Sequence, residues 1–183
     1  MRLFLPEIEG TLPIRSPVER FLDGFRQRVT AGLLTGQSHP RSNYVVTEAG
    51  SRRLVIRAVD WLTAFNVGLN DVALSLERPG LIRYHVRYWR WALYALLLSG
   101  TIGVVGLGLL LGTDVRAYFE RNPRSMAPGL SIEQHVVIAW VMALFWGFVW
   151  PWLLIAMHKR PLRLLIARLI AEVDAAVESS PPR

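Results

Sequence analysis

The chain alternates between long apolar runs and shorter stretches where charge returns at regular intervals. Residues 91–113 and 134–157 contain no Asp, Glu, Lys or Arg. At 1.5 Å per residue, each run forms a helix of about 33–36 Å, enough to cross a hydrocarbon core of about 30 Å. The pattern therefore predicts a transmembrane helical hairpin over 89–157, with spans at 91–113 and 134–157 and a loop at 114–133. A buried hairpin of a soluble protein is the plainer alternative, but such helices are usually shorter and carry a polar stripe.

Ahead of the hairpin the pattern is that of an α+β domain over 1–88. Residues 7–14 alternate, with Ile8, Leu12 and Ile14 on one side, and predict a short edge strand that tolerates Pro13. Ser16-Pro17-Val18-Glu19 has the form of a capping box. Val18, Phe21, Leu22, Phe25, Val29 and Leu33 follow at helical spacing, predicting an amphipathic helix of about five turns. From Asn43 the period becomes two. Segments 43–48, 53–60, 72–77 and 81–88 predict an antiparallel β-meander, with Leu54, Ile56 and Ala58 on one face. Residues 61–69 fit a further strand. Turns fall at Ala49-Gly50-Ser51, Asn70-Asp71 and Arg78-Pro79-Gly80. After the hairpin, Pro161 is expected to break or restart the helix. Leu162, Leu165, Ile166, Leu169, Val173 and Val177 then mark a C-terminal amphipathic helix within 158–183, ending in a disordered Ser-Ser-Pro-Pro.

Charge adds orientation to this picture. The net +7 divides into +5 over 1–90, zero over 114–133 and +2 over 158–183. Arg78, Arg83, Arg87 and Arg90 precede the first span, and Lys159, Arg160, Arg163 and Arg168 follow the second. The loop offers only Arg116, Arg121 and Arg124. Basic residues beside a span resist translocation, so both termini are expected in the cytoplasm, with the chain in the cell inner (plasma) membrane. Met1-Arg2 leads into only three apolar residues before Pro6, so no cleavable signal peptide is expected. Cysteine is absent, which removes disulfides, thiolate metal sites and cysteine nucleophiles.

The densest local signal is the run Arg83-Tyr84-His85-Val86-Arg87-Tyr88-Trp89-Arg90-Trp91. Interleaved cations and aromatics suit single-stranded nucleic acid. Abutting a span, they suit the headgroup zone better, where Trp and Tyr collect and Arg pairs with lipid phosphate. Arg83, Arg87, Tyr88, Trp89, Arg90, Trp91, Trp150, Trp152, Lys159 and Arg160 are accordingly expected to anchor the chain to anionic membrane lipids, with no nucleic acid as partner. Ser99, Gly100, Gly103, Gly106, Gly108 and Gly112 would let another helix approach closely, with Trp146 among the bulky residues facing them. That partner is either the second span or another copy of the chain in a homo-oligomer. Pro151 is expected to kink the second span.

No catalytic motif is present, and neither span has an ionisable residue in its interior, so neither an enzyme nor a coupled transporter is expected. Asp114, Glu133 and His135 have the composition of a metal site without a suitable spacing, and no cofactor is expected. The order strand, helix, meander, terminal helix is similar to the helix-grip fold of START-like and Bet v1-like proteins. That resemblance implies an apolar ligand held between sheet and terminal helix, with the hairpin interrupting the order here. The leading expectation is a membrane-anchored cytoplasmic scaffold or assembly module that acts by binding. A tethered lipid-binding domain is the first alternative, and an unrecognised enzyme or oligomeric pore subunit the second.

Overall fold

A computed structural model describes residues 4–33, 44–61 and 68–180. It is an α+β structure with one five-stranded antiparallel sheet and four helices, two of them long and apolar enough to cross a membrane. The chain forms two compact units. One comprises residues 5–91 and 157–183; the other comprises 1–4 and 92–156.

The first unit holds the sheet. Strands β1 (Glu7–Pro13), β2 (Tyr44–Ala49), β3 (Arg53–Ala58), β4 (Asp71–Arg78) and β5 (Leu81–Arg87) lie in the order β1-β5-β4-β3-β2, all antiparallel. The four consecutive strands form the expected meander, and β1 closes the far edge against β5, where Pro13 sits opposite Leu81. An edge position suits proline because no ladder donor is lost on the paired side. Gly80, with φ +76°, follows Pro79 in the two-residue turn between β4 and β5, a backbone that a side chain would strain. The predicted strand over 61–69 does not form at its described ends. Trp61, Gly68 and Leu69 lie outside the sheet because β3 pairs directly with β4, Arg57 opposite Asp71; residues 62–67 lie outside the described residues.

Alternation gives the sheet one covered face. Ile8, Leu54, Ile56, Val72, Leu74, Ile82 and Val86 are buried there. Helix α1 (Val18–Ala31) lies against β2 and β3 and buries Phe21, Leu22, Phe25 and Val29, the stripe its periodicity predicts. It is nearer four turns than five. The capping box does not form: Pro17 occupies the cap position, and no side chain caps the helix. Ser16 is engaged elsewhere, as described below. Leu162, Ile166, Leu169, Ile170 and Val173, from the last part of the chain, are buried as part of this core.

The second unit contains most of α2 (Trp89–Gly112), the short α3 (Val115–Arg121) and the first half of α4, which runs from Ile132 to Ser179. Ser131 caps α4 in a complete capping box with Gln134. Within α4 the turn Phe145–Val149 is π-helical, and the Trp150 N–H bonds to the Phe145 carbonyl five residues back. Pro151 explains its place. Proline supplies no N–H and its ring presses on the carbonyl four residues earlier, and a turn widened by one residue relieves both. What the structure shows beside Pro151 is this π turn. Pro161, by contrast, stays inside the helix and does not break it. Its ring is exposed, while Leu162 and Ile166 beside it are fully buried. Burying such side chains contributes about 1.5–3 kcal/mol each, more together than the roughly 3 kcal/mol an interior proline costs.

Candidate functional site

The best-defined cluster of chemistry in the first unit gathers where the sheet ends and α2 begins. Asn70 organises it. Its backbone carbonyl accepts from Ala58 N–H at 2.9 Å, its own N–H donates to the Arg87 carbonyl at 3.0 Å, and its side-chain oxygen accepts from Arg90 N–H at 2.7 Å. One buried asparagine thus fastens the ends of β3 and β5 and satisfies a donor of the first turn of α2, which has no partner inside the helix. The sequence shows it only as a turn residue.

Four aromatics, a histidine and a cation gather around this clamp. The Arg90 guanidinium lies 5.5 Å from the Trp61 ring and 5.4 Å from the Trp89 ring, which meet edge-on at 6.0 Å. The quadrupole of each indole attracts the charge, worth about 0.5–1 kcal/mol at an exposed site. Trp91 stacks on His158, centroids 4.1 Å apart and planes within 5°. Trp91 is the first residue of one uncharged run, and His158 follows the other. The His158 Nε2 is buried and finds no hydrogen-bond partner among the described residues. Tyr88 packs against both rings and is wholly buried, which pushes its phenol up to about 12, with Arg163 opposing and Glu7 adding to the rise.

The residues expected to anchor the chain thus occupy different environments. Trp89 is exposed, Arg90 is held between indoles, Trp91 is half-buried under His158 and Tyr88 is inside the core. Arg83 and Arg87 lie on the open face of the sheet. Arg83 pairs with Glu77 at 2.8 Å, and Arg87 stands in register with Glu7 on one side and Asp71 on the other. Arg160 is exposed and Lys159 half-exposed on α4. In the second unit, Trp150 packs edge-on against Trp146 at 4.7 Å, and Trp152 meets Phe4 at 6.2 Å. Trp61, which the sequence reading assigned to a strand, joins Trp89 only through the fold.

The glycines of α2 divide into two sets. Gly103 is buried, and a Cβ placed there would lie 2.6 Å from the Gly147 Cα and 3.1 Å from the Phe148 ring. Gly106 faces Ala143, and Ser99 is buried on the same stripe. The crossing of α2 and α4 is therefore glycine on glycine, and backbones meet where small residues allow it. Gly100, Gly108 and Gly112 have open space where a side chain would stand, and Trp146 lies partly exposed among Phe145 and Trp150.

No protein-family model, curated protein or solved structure matches this chain.

The three residues with metal-ligand composition have separate structural tasks. Asp114 caps α3 by accepting from Ala117 N–H at 3.0 Å, and Glu133 pairs with Arg116 at 3.3 Å. His135 is buried and holds the turn before α4. Its Nε2 accepts from Ala127 N–H at 2.8 Å, so its proton sits on Nδ1 and donates to the Ser131 carbonyl, also at 2.8 Å. Among the described residues no three His, Asp or Glu side chains are placed to share a metal ion.

Asp174 is the remaining polar residue of consequence, and sequence reading missed it. It is buried on α4 and accepts from Arg15 N–H at 2.9 Å, Ser16 N–H at 3.0 Å and the Ser16 hydroxyl. Burial alone would raise its carboxyl pKa. The three donors, joined by the charge of Arg15, prevail and hold it below the usual carboxylate range.

Proposed function

We propose that this chain is a membrane-anchored cytoplasmic module that acts by binding and assembly. In this reading α2 and the first half of α4 cross the inner membrane as a hairpin, and both termini stay in the cytoplasm. One observation carries it. In the most apolar 18-residue windows of α2 and α4, only 17 % and 11 % of the residues are buried inside the structure. A core helix of a soluble protein hides such a surface against its own chain. Here Leu97, Ile102, Val104, Leu109, Val137, Val141 and Phe148 stay outside it, and lipid is the solvent that accepts them. The charge distribution supports the orientation, since eight basic residues flank the spans on the terminal side against three in the loop.

The test combines extraction with topology. The full chain should remain in the membrane pellet after alkaline carbonate treatment. A fluorescent or enzymatic reporter fused after Arg183 should be active only when the fusion point is cytoplasmic. Release of the protein into the soluble fraction would refute the membrane reading. A C-terminal reporter active only outside the cytoplasm would refute the orientation while leaving the hairpin intact.

A further inference from the structure

The connection that leaves β3 carries two large apolar side chains in solvent, Val59 at 57 % and Trp61 at 56 % exposure. They do not stand alone. The Trp61 ring meets Trp89, itself 41 % exposed, and Arg90 places its charge over both indoles. Trp89 is the first residue of α2, and Asn70 fixes the start of that helix to the ends of β3 and β5. Whatever surrounds the entry point of α2 therefore also surrounds Trp61 and Val59.

Resting on the membrane reading above, we propose that the segment around Val59 and Trp61 is a further membrane contact. It would seat the sheet domain in the headgroup–acyl boundary of the leaflet that α2 enters. The chemistry fits that zone and no other solvent equally well. Indole has an apolar body and one N–H donor, which suits the boundary between acyl chains and headgroups. A guanidinium held over two indole faces keeps its charge beside lipid phosphates while the rings shield its stem. The occupant follows from continuity, since this patch adjoins the first turn of a proposed span. Trp61 and Val59 thus extend the anchoring set to a loop far from either span in sequence. They would hold the end of β3 at the bilayer and leave its opposite end, at the turn containing Ser51, in water.

The absence of cysteine makes a depth measurement direct. Single cysteines at Val59, Ser51 and Val104 would carry nitroxide labels, one per sample. Each full-length protein would be reconstituted into phosphatidylcholine vesicles containing phosphatidylglycerol, and collision with oxygen compared with collision with a water-soluble nickel chelate. The Val104 label should favour oxygen and the Ser51 label nickel. The Val59 label should fall between them, with nickel collisions at least about threefold below those at Ser51, as a boundary position requires. Adding Trp61→Ser should move the Val59 label toward the nickel-accessible value. A Val59 label as exposed to nickel as Ser51, with Val104 still in lipid, would overturn this contact and leave the hairpin standing. Nickel access at Val104 would overturn both.

Discussion

Asp174 shows how much one side chain can be asked to hold. Three donors from residues 15 and 16 converge on its carboxylate, two of them backbone N–H groups. A hydrogen bond to a charged group contributes about 1.5–3 kcal/mol, and a buried donor left unpaired costs a similar amount. Asp174→Ala should therefore destabilise the first unit by about 3 kcal/mol, read as a lower thermal midpoint in detergent by circular dichroism. The pH dependence has a definite sign. A carboxyl whose folded pKa lies below its unfolded value of about 3.9 contributes its full stabilisation above that pH. The contribution is lost as pH falls through the lower folded value. Between pH 5 and pH 2.5 the native protein should thus lose more stability than Asp174→Asn does. Parallel acid profiles for the two proteins would contradict this account. The glycines supply a second comparison at the same scale. Gly103→Ala sets a Cβ against the Gly147 backbone, which has no side chain to swing aside, and overpacking of this kind costs about 1–3 kcal/mol. Gly100→Ala meets open space and should be neutral, or stabilising by up to about 1 kcal/mol from helix propensity. Thermal unfolding of the two variants in the same detergent separates these outcomes.

Elements that could be read from sequence are those whose signal is local. The two apolar helices are legible because a run without charge needs no knowledge of neighbours, and the meander because Leu54, Ile56 and Ala58 alternate whatever covers them. The Ser131–Gln134 capping box forms because both partners belong to one turn. Ser16 and Glu19 show the same spacing and do not form one, because Asp174 claims the serine from 158 residues away. Gly147 was hidden differently: it stands among Phe and Trp, and the sequence suggested a helix of knobs where the closest contact is made by its one glycine. Trp61 and Asn70 became site residues only when β3 paired with β4 and brought their ends together. At the turn before α4, His135 makes a prediction for the element as a whole. His135→Leu deprives Ala127 N–H of its acceptor and Ser131 of its donor. Amide exchange over residues 126–131 should accelerate by about tenfold, the equivalent of one neutral hydrogen bond, with α1 unaffected. Unchanged protection in that turn would show that the imidazole does not hold it.

For the whole molecule, the order of parts along the chain matters as much as their structure. The core of the first unit takes the sheet and α1 from residues 5–91 and its closing side chains, Leu162 to Val173, from the far side of the hairpin. A chain ending after Lys159 should keep both apolar helices yet lose the buried side chains Leu162 to Val173 and the Asp174 contact to residues 15 and 16. Limited proteolysis of membranes carrying this truncation should cleave between residues 5 and 88 well before the full-length protein is cut. Equal resistance would mean that sheet and α1 are a finished domain by themselves. The arrangement also sets a timetable for synthesis. Roughly 85 residues separate the end of β5 from Val173, so a ribosome moving at about 5–20 residues per second delivers the last piece some 4–17 s after the sheet. Throughout that interval the nascent sheet has α1 but not the side chains of the last helix, and on the proposed membrane reading the intervening segment would meanwhile pass to the insertion machinery. If the proposed hairpin is inserted in that interval, a delay there would leave the unfinished sheet open to clumping, so completion of the sheet unit would be gated by the apolar helices that precede its last piece.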